Sequence, residues 1–335
     1  MVLFRFLEGH TIFMSKMLSV ADTAEWLRSN DNYLILTHRR PDGDTVGCAG
    51  ALAQGLRNIG KTAFVLSNPE ITPRYAGFIE DYLVSDDYDA EHVIIVDTAS
   101  TSLFPKNGDR YLDSVSLCID HHPSNTFYAQ NTCLDSSMAS CGEIVFEILI
   151  ALSGEICAKS AECIYVAVST DTGCFSFANT TSNTLRVASL AVAAGAPHVK
   201  LNRRLFRTKS RARIRIEGMI NAGLEFYFDG KVAFSLVTSE MMAAAGAAED
   251  DVDDIASIPG SICGVLVGIT MRELTSPLDC KVSVRTSPKV NANDIAANFG
   301  GGGHNMAAGF SLDKPMSEGK LALLEVLKEF IPADV

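Results

Sequence analysis

The sequence predicts a two-domain α/β protein, in which a parallel sheet with helices on both faces is followed by a smaller α/β domain. Up to residue 194, short apolar runs alternate with segments of helical spacing, as in parallel sheets connected through helices. A strand-rich pattern begins after Gly223. A chain of 335 residues is also long enough to form two hydrophobic cores. We expect domains at 17–194 and 223–335, joined by a linker at 195–222.

Apolar runs and helix signals define the elements of the first domain. Because the carboxyl ends of parallel strands share one edge, polar residues that follow different strands are expected to converge there. Gly195 and Pro197 end the last predicted helix. Strands are predicted at 33–36, 62–65, 92–96 and 115–119, and helices at 19–29, 45–58, 140–152, 161–169 and 185–194.

The charge changes sign between the two domains. Seven residues from Arg203 to Arg215 are basic and none is acidic. We expect a connecting helix over 200–215, whose basic side is either a solvated face or the positive wall of a cleft between the domains.

The second domain begins with a hairpin signal. Asp229-Gly230 separates two apolar runs, which predicts a β-hairpin. The acidic run 249–254 is typical of the start of a short helix. Strands are predicted at 224–228, 232–236, 263–271 and 279–285, and helices at 294–298 and 321–331.

The composition limits the classes of function. Hydrophobic residues make up 47% of the chain and charged residues 20%, as in globular proteins. The nine cysteines form no Cys-x-x-Cys pair, so we expect reduced thiols in a cytoplasmic protein. No apolar run approaches a membrane span, and residues 1–16 lack the apolar core of a signal peptide. A net charge of −12 argues against binding long nucleic acid by charge alone, although bound cations can still attract a small anion.

Polar residues cluster where the predicted strands end. Taken alone, each has an ordinary explanation, because Pro-Asp-Gly is a common turn and a strand-end aspartate is often a helix cap. The adjacent Asp-His-His triplet at the end of a buried strand has no obvious packing role. The residues expected at this edge are His38, Asp42, Asp44, Asp97, Asp120, His121 and His122.

Adding Asp171 gives a set of donors that suits two divalent metal ions. This much negative charge at one sheet edge would be costly without cations. Imidazole donors favour manganese or cobalt over magnesium, and we expect Asp97 to bridge the two ions. His122 would then face a phosphate as a hydrogen-bond donor or general acid. The predicted ligands are His38, Asp42, Asp44, Asp97, His121 and Asp171.

The ordered motifs resemble those of the DHH phosphoesterase superfamily, in the branch with a carboxyl-terminal DHHA1 domain. They are His38-x-x-Pro41-Asp42-Gly43-Asp44, Asp97, Asp120-His121-His122, Thr170-Asp171-Thr172-Gly173 and Gly301-Gly302-Gly303-His304. The resemblance implies that His38, Asp42 and Asp97 hold one manganese ion. It assigns Asp44, Asp97, His121 and Asp171 to the other, with His122 on the scissile phosphate and Asp120 orienting a histidine. Cobalt or magnesium would be substitutes.

The resemblance also makes Arg285 and residues 301–304 the substrate-binding part of the second domain. Glycines at 300–303 let backbone N–H groups approach a phosphate, and Arg285 can bind one in a bidentate manner. By itself, the glycine run could equally be a flexible loop. The sequence departs from the family at Cys48, where serine is common, and at Asn305-Met306, where a basic residue is common.

We therefore expect a manganese-dependent phosphoesterase, monomeric or homodimeric, with its active site in the cleft between the domains. It would cut short oligoribonucleotides to mononucleotides and convert 3′-phosphoadenosine 5′-phosphate (pAp) to AMP. Linear or cyclic dinucleotides such as pApA or cyclic di-AMP are alternative substrates. A pyrophosphatase and an exonuclease of long strands or duplexes fit the motifs less well. An inactive nucleotide-binding protein is the alternative from another class, and no membrane partner is expected.

Overall fold

A computed structural model describes residues 15–252, 254–274, 276 and 278–331. The chain forms two compact units, divided between Thr208 and Lys209. Most of the amino-terminal segment, to which the signal-peptide prediction refers, lies outside the described residues. In the described ranges, no helix combines the length and apolar character needed to cross a bilayer.

The first unit is built on a parallel sheet, which confirms the predicted α/β fold. Over residues 15–208 this sheet has seven strands in the order β1-β7-β6-β5-β2-β3-β4, and every neighbouring pair is parallel. The strands are β1 (Lys16–Met17), β2 (Tyr33–Leu36), β3 (Ala63–Leu66), β4 (Leu83–Val84), β5 (His92–Val96), β6 (Val115–Asp120) and β7 (Asn131–Leu134).

The described α-helices of this unit pack on one face of the sheet, and not on both faces as predicted; there Tyr33, Ile35 and Ile94 contribute to a large apolar core. The other face, with Leu34 and Leu36, is covered by loops and short 3-10 turns such as Asp109–Tyr111. The helices are α1 (Val20–Ser29), α2 (Gly43–Asn58), α3 (Pro73–Ala76), α4 (Cys141–Ser153), α5 (Ala158–Asp171), α6 (Ser182–Ala193) and α7 (His198–Asn202).

The expected connecting helix is broken into two pieces. After α7 the chain continues as a π-helical turn, Arg203–Arg207, and then becomes extended at Thr208. A new helix, α8 (Arg211–Ala222), begins where Ser210 Oγ accepts a hydrogen bond from the Arg213 N–H at 2.8 Å. The Ser210 side-chain cap competes with continuation of the preceding helix. The spacing of apolar residues does not reveal such a cap.

The second unit has a mixed sheet of six strands within its described residues, in the order β12-β13-β11-β10-β9-β8. Its strands are β8 (Glu225–Tyr227), β9 (Val232–Val237), β10 (Val267–Glu273), β11 (Cys280–Thr286), β12 (Gly302–His304) and β13 (Ala307–Leu312). β8 and β9 form the hairpin expected around Asp229-Gly230, and both turn residues have positive φ.

Helices cover both faces of this second sheet. α10 (Ala292–Ala297) and α11 (Met316–Leu327) pack on the face that carries Val282 and Val284. α8 and α9 (Ser239–Ala245) pack on the opposite face. α11 begins five residues before its predicted start at 321, because Pro315 has a backbone suited to the residue before a helix.

Candidate active site

The candidate active site lies at the carboxyl edge of the first sheet. The strands β6, β5 and β2 are neighbours in that order, so the loops that follow them are adjacent. The start of α2 and the end of α5 reach the same edge. The structure thus brings together all the side chains that the sequence placed there, namely His38, Asp42, Asp44, Asp97, Asp120, His121, His122 and Asp171.

One group of potential metal ligands consists of His38, Asp42 and Asp97. His38 Nε2 lies 3.5 Å from Asp42 Oδ1 and 3.7 Å from Asp97 Oδ2. Asp42 caps α2, since its Oδ1 accepts hydrogen bonds from the N–H groups of Asp44 and Thr45 at 3.0 and 3.2 Å. Each of the three side chains offers a donor atom within 4.8 Å of the others, which is compatible with a shared cation.

A second group consists of Asp44, His121 and Asp171. His121 Nε2 lies 3.9 Å from Asp44 Oδ2 and 3.7 Å from Asp171 Oδ2. It also lies 3.5 Å from Asp97 Oδ1. Asp97 therefore contacts a histidine of each group, and its carboxylate links the two.

Asp97 is buried, and one of its two carboxylate oxygens has no hydrogen-bond donor in the described part of the chain. Its side chain is 4% exposed, and Oδ1 has no hydrogen-bond partner among the described residues. Its φ of 55° lies in the left-handed region, which is uncommon for residues other than glycine and is often found at functional sites. Burial, reinforced by the negative charge of Asp44, raises the pKa of Asp97 well above its usual value. An orphaned buried carboxylate beside two imidazoles fits a cation-binding site.

Asp44 is held by the amino terminus of α4. Its Oδ2 accepts a hydrogen bond from the Cys141 N–H at 2.7 Å, and its Oδ1 accepts one from the Gly142 N–H at 2.9 Å. The Cys48 thiol donates to Oδ1 at 3.3 Å. A Cβ at position 142 would lie 2.5 Å from Ala167 Cβ, so this close approach requires glycine. Burial, together with the charge of Asp42, nevertheless raises the pKa of Asp44 to about 7.

Asp171, at the end of α5, is the most solvent-accessible member of its group. Its side chain is 30% exposed, against 13% for His121 and 1% for Asp44. Burial and the charge of Asp44 raise the pKa of Asp171 to about 7. Two neighbouring carboxyls with raised pKa values indicate a site whose ionised form needs positive charge nearby.

The histidines of the two candidate ligand groups have a defined tautomer. His121 Nδ1 lies 3.2 Å from the Met138 carbonyl, and His38 Nδ1 lies 2.8 Å from the Arg39 carbonyl. Because a carbonyl oxygen only accepts, Nδ1 must be the protonated nitrogen in each ring. The Nε2 lone pairs then remain available for a metal, as is usual for metal-binding histidines.

Asp120 and His122 form a pair beside these groups. His122 Nδ1 lies 2.8 Å from Asp120 Oδ1, and Asp120 is fully buried. Asn125 Nδ2 donates to Asp120 Oδ2 at 2.7 Å. Burial would lower the pKa of His122, but the hydrogen bond and charge of Asp120 outweigh it and raise the pKa. Burial opposes ionisation of Asp120, yet its bonds to His122 and Asn125 lower its pKa. The pair therefore favours a charged imidazolium.

Sequence patterns did not single out Asn125 or Glu143. Glu143 is fully buried in α4 and accepts hydrogen bonds from the Ala139 N–H at 3.2 Å and Thr184 Oγ1 at 2.8 Å. Asn183 Nδ2 donates to its other oxygen at 2.6 Å. Glu143 thereby fixes the loop whose Met138 carbonyl orients His121. The available signal was weak, since Glu143 is one of two acidic residues within the otherwise apolar run 141–152.

The predicted substrate-binding residues lie together in the second unit. Arg285 on β11 pairs with Ala307 on β13, and His304 on β12 pairs with the same Ala307. Directly paired residues project to one face, so Arg285 and His304 share a row of this face. Arg285 donates a hydrogen bond to the Val284 carbonyl at 3.0 Å, and burial lowers the pKa of its guanidinium.

The glycine run forms an edge strand. A Cβ at Gly301 would lie 2.4 Å from the Gly309 carbonyl oxygen, so close strand packing requires glycine there. The Gly303 N–H donates to Asn293 Oδ1 at 3.0 Å. Gly301 and Gly303 therefore have a packing role, whereas a Cβ at Gly300 or Gly302 would meet no such close neighbour among the described residues.

Two family domains match the chain: the DHH family N-terminal domain at residues 32–168 and the DHHA1 domain at residues 229–333. The chain is also 32% identical over 286 residues to the bifunctional oligoribonuclease and PAP phosphatase NrnA of Thermus thermophilus, covering 83% of each protein. It belongs to the DHH family and carries a DHHA1 domain, which confirms the resemblance seen in its motifs.

Solved structures share this fold. An exopolyphosphatase-related protein from Bacteroides fragilis matches with a TM-score of 0.84 and 24% identity, over 92% of this chain and 95% of that one. RecJ from Thermus thermophilus, in complex with Mn²⁺, matches with a TM-score of 0.53 and 13% identity, over 92% of this chain and 54% of that one. At these identities the likeness concerns the fold.

Proposed function

We propose that this protein is a manganese-dependent phosphoesterase that cuts short oligoribonucleotides to mononucleotides and converts pAp to AMP. Family membership makes the chain a hydrolase of phosphoester bonds. The substrate classes follow from the NrnA relative, whose name states both activities. The observation that carries the proposal is the buried Asp97 carboxylate, which joins two groups of ligands and lacks a hydrogen-bond donor on Oδ1.

The residues of the site fit two divalent ions. We assign His38, Asp42 and Asp97 to one ion, and Asp44, Asp97, His121 and Asp171 to the other. Mixed imidazole and carboxylate donors favour Mn²⁺, with Co²⁺ or Mg²⁺ as substitutes, and the RecJ complex is a precedent for Mn²⁺ in this fold. When bound, such a pair of ions supplies an activated water and neutralises charge on the phosphate.

His122 acts on the phosphate itself. Its side chain is 35% exposed, so it can reach a substrate, while Asp120 occupies its Nδ1. Asp120 orients the ring and stabilises the imidazolium, which leaves the Nε2–H to donate a hydrogen bond or a proton to the scissile phosphate.

The second domain binds the rest of the substrate. Arg285 and His304 share one row of the sheet, and we assign them, with Gly301, Gly302 and Gly303, to phosphate or base binding. Arginine suits this role because its guanidinium can form two parallel hydrogen bonds to one phosphate. We place the metal-binding domain at 17–194, the linker at 195–222 and the substrate-binding domain at 223–335.

We further propose a cytoplasmic protein that acts as a monomer or homodimer. The support for this compartment is the cysteine pattern, since nine cysteines without a Cys-x-x-Cys pair are typical of reduced thiols.

A substrate panel tests the proposed function. The full chain is incubated with pAp, pApA, cyclic di-AMP, a short RNA ladder and pyrophosphate, with Mn²⁺ or with EDTA, and products are separated by chromatography. Mn²⁺-dependent release of AMP from pAp and of mononucleotides from the ladder is expected. Hydrolysis confined to pApA or cyclic di-AMP would retain the chemistry and overturn the substrate assignment. No hydrolysis of any substrate would favour a nucleotide-binding role.

A further inference from the structure

An exposed basic segment follows α6 in the first unit. Lys200, Arg203 and Arg207 are exposed and have no hydrogen bond or ion pair among the described residues. Arg204 is engaged differently, because it donates to the Arg74 carbonyl at 2.7 Å and stacks on Phe78. Three cations in this short helical segment are therefore available to a ligand.

Two of these cations line an open surface groove of about 740 Å³, which we call the basic groove. Its lining includes His198, Val199, Lys200, Arg203 and Arg204, and no acidic residue is among the described residues around it. Val199 is 71% exposed and adds apolar surface. A volume of this size accommodates nucleotide-sized ligands.

Side-chain contacts connect the basic groove to α5, the helix that ends at Asp171 in the candidate active site. The Tyr165 ring on α5 lies 6.2 Å from the His198 ring, and the Tyr165 hydroxyl donates to Asn202 Oδ1 at 3.2 Å. Tyr165 also lies 5.9 Å from Phe175, in the loop that follows Asp171. Residues 165 and 171 are on the same helix, so the rise between them is about 9 Å.

Arg207 continues the positive charge toward this loop. Burial raises the pKa of the Cys174 thiol, and the positive charge of Arg207 opposes that rise. Cys174 is three residues after Asp171. The cations therefore extend from the edge of the candidate active site into the basic groove.

We propose that the basic groove binds the phosphodiester backbone of an RNA substrate, beyond the nucleotide that occupies the candidate active site. This inference rests on the proposed function. The chain has a net charge of −12, so a polyanion needs a local cationic surface to bind. From Asp171 the path to the groove runs about 9 Å along α5 to Tyr165 and then 6.2 Å between the Tyr165 and His198 rings, which is longer than the rise of one nucleotide, about 3.4 Å. A pentanucleotide reaches the groove, whereas pAp is too short.

The test compares two double variants of the full chain. Lys200→Ala with Arg203→Ala removes two cations from the groove. Lys61→Ala with Arg110→Ala removes the same charges from segments that precede β3 and β6, at the opposite edge of the sheet. Fluorescence anisotropy with a labelled pentanucleotide in EDTA measures binding without turnover, and steady-state kinetics in Mn²⁺ gives KM for the pentanucleotide and for pAp.

The groove variant is expected to weaken pentanucleotide binding about 5- to 10-fold. The slope of log Kd against log salt concentration should decrease by about 1.4. Each phosphate contact on a single strand contributes about 0.7 to this slope, and the variant loses two contacts. The KM for the pentanucleotide should rise several times more than that for pAp. Lys200→Arg with Arg203→Lys, which keeps both charges, should restore most of the affinity.

Equal pentanucleotide affinity in the groove variant and the Lys61/Arg110 variant would overturn the proposal. An equal rise in KM for the pentanucleotide and pAp would also overturn it. A groove that binds phosphates beyond the candidate active site contacts the pentanucleotide but not pAp, so its loss cannot raise both KM values equally. If the wild-type chain hydrolyses neither substrate, the proposed function fails, and the anisotropy experiment still decides whether the groove binds RNA.

Discussion

His122 donates a hydrogen bond from Nδ1 to the fully buried carboxylate of Asp120, over 2.8 Å. Asp120 is fixed in turn by Asn125 Nδ2 at 2.7 Å and by the His121 backbone N–H at 2.9 Å. Three donors on one buried carboxylate leave it little freedom. Asp120 therefore positions the His122 imidazole, whereas the His121 imidazole is oriented by the Met138 carbonyl.

Replacing Asp120 by asparagine should lower kcat about 10- to 100-fold, as is usual when the partner of an active-site histidine is lost. Asp120 raises the pKa of His122, so its removal lowers that pKa. If protonated His122 is required, activity falls as the pH rises through this pKa, and in Asp120→Asn that fall occurs at lower pH. The pH profile of kcat measures the shift. Asp135→Asn is the control, and an unshifted profile would argue against the pairing.

Replacing Asp97 by alanine should abolish turnover while the fold survives. The side chain links both groups of ligands, and two-metal catalysis supplies several kcal/mol, so kcat/KM should fall by about three orders of magnitude or more. In EDTA the melting temperature should not fall, because the substitution removes a buried carboxyl whose Oδ1 lacks a donor. Wild-type rates in Asp97→Ala would refute its bridging role.

Replacing Arg285 by alanine should mainly raise KM, about 10-fold or more, with kcat changed less than about twofold. A bidentate phosphate contact that is equally strong in the ground state and the transition state affects KM alone. Arg285→Lys keeps the charge without the planar fork and should give an intermediate KM. Steady-state kinetics on pAp measures both constants. A defect confined to kcat would contradict a role in ground-state binding.

Replacing Glu143 by glutamine should weaken Mn²⁺ binding about 10-fold, through the loop that orients His121. Glutamine retains the volume of glutamate but presents an amide donor to Asn183 or Thr184, where only acceptors were needed. Isothermal titration calorimetry with MnCl₂ measures the affinity. Glu147→Gln, on the same helix and paired with Arg186 at the surface, is the matched control. Equal affinities in the two variants would exclude the positioning role.

The residues at the ends of β2, β5 and β6 could be predicted because chain order and strand direction suffice to bring them to one edge. The prediction of Asp171 also required the family pattern, because this residue ends a helix instead of a strand. It lies 74 positions after Asp97 in the chain. The structure adds the partners that no local pattern reveals. Glu143 reaches Asn183 and Thr184 across α4 and α6, 40 and 41 positions away.

Some elements were missed for local reasons. β7 reads Asn-Thr-Cys-Leu and lacks an apolar run, and it is stabilised by pairing with β6 on one side and β1 on the other. The break after α7 depends on the Ser210 cap, which competes with helix continuation through a single side-chain hydrogen bond. Periodicity reports burial, and neither strand pairing nor capping leaves a periodic signal.

Anomalous X-ray diffraction from crystals of the full chain, grown with MnCl₂ as the only divalent metal and measured at the manganese edge, tests the two-metal site most directly. Two anomalous peaks are expected on either side of the Asp97 carboxylate. One should lie beside His38 and Asp42, and the other beside Asp44, His121 and Asp171. A single peak, or peaks that do not contact Asp97, would contradict the two-metal account of this site.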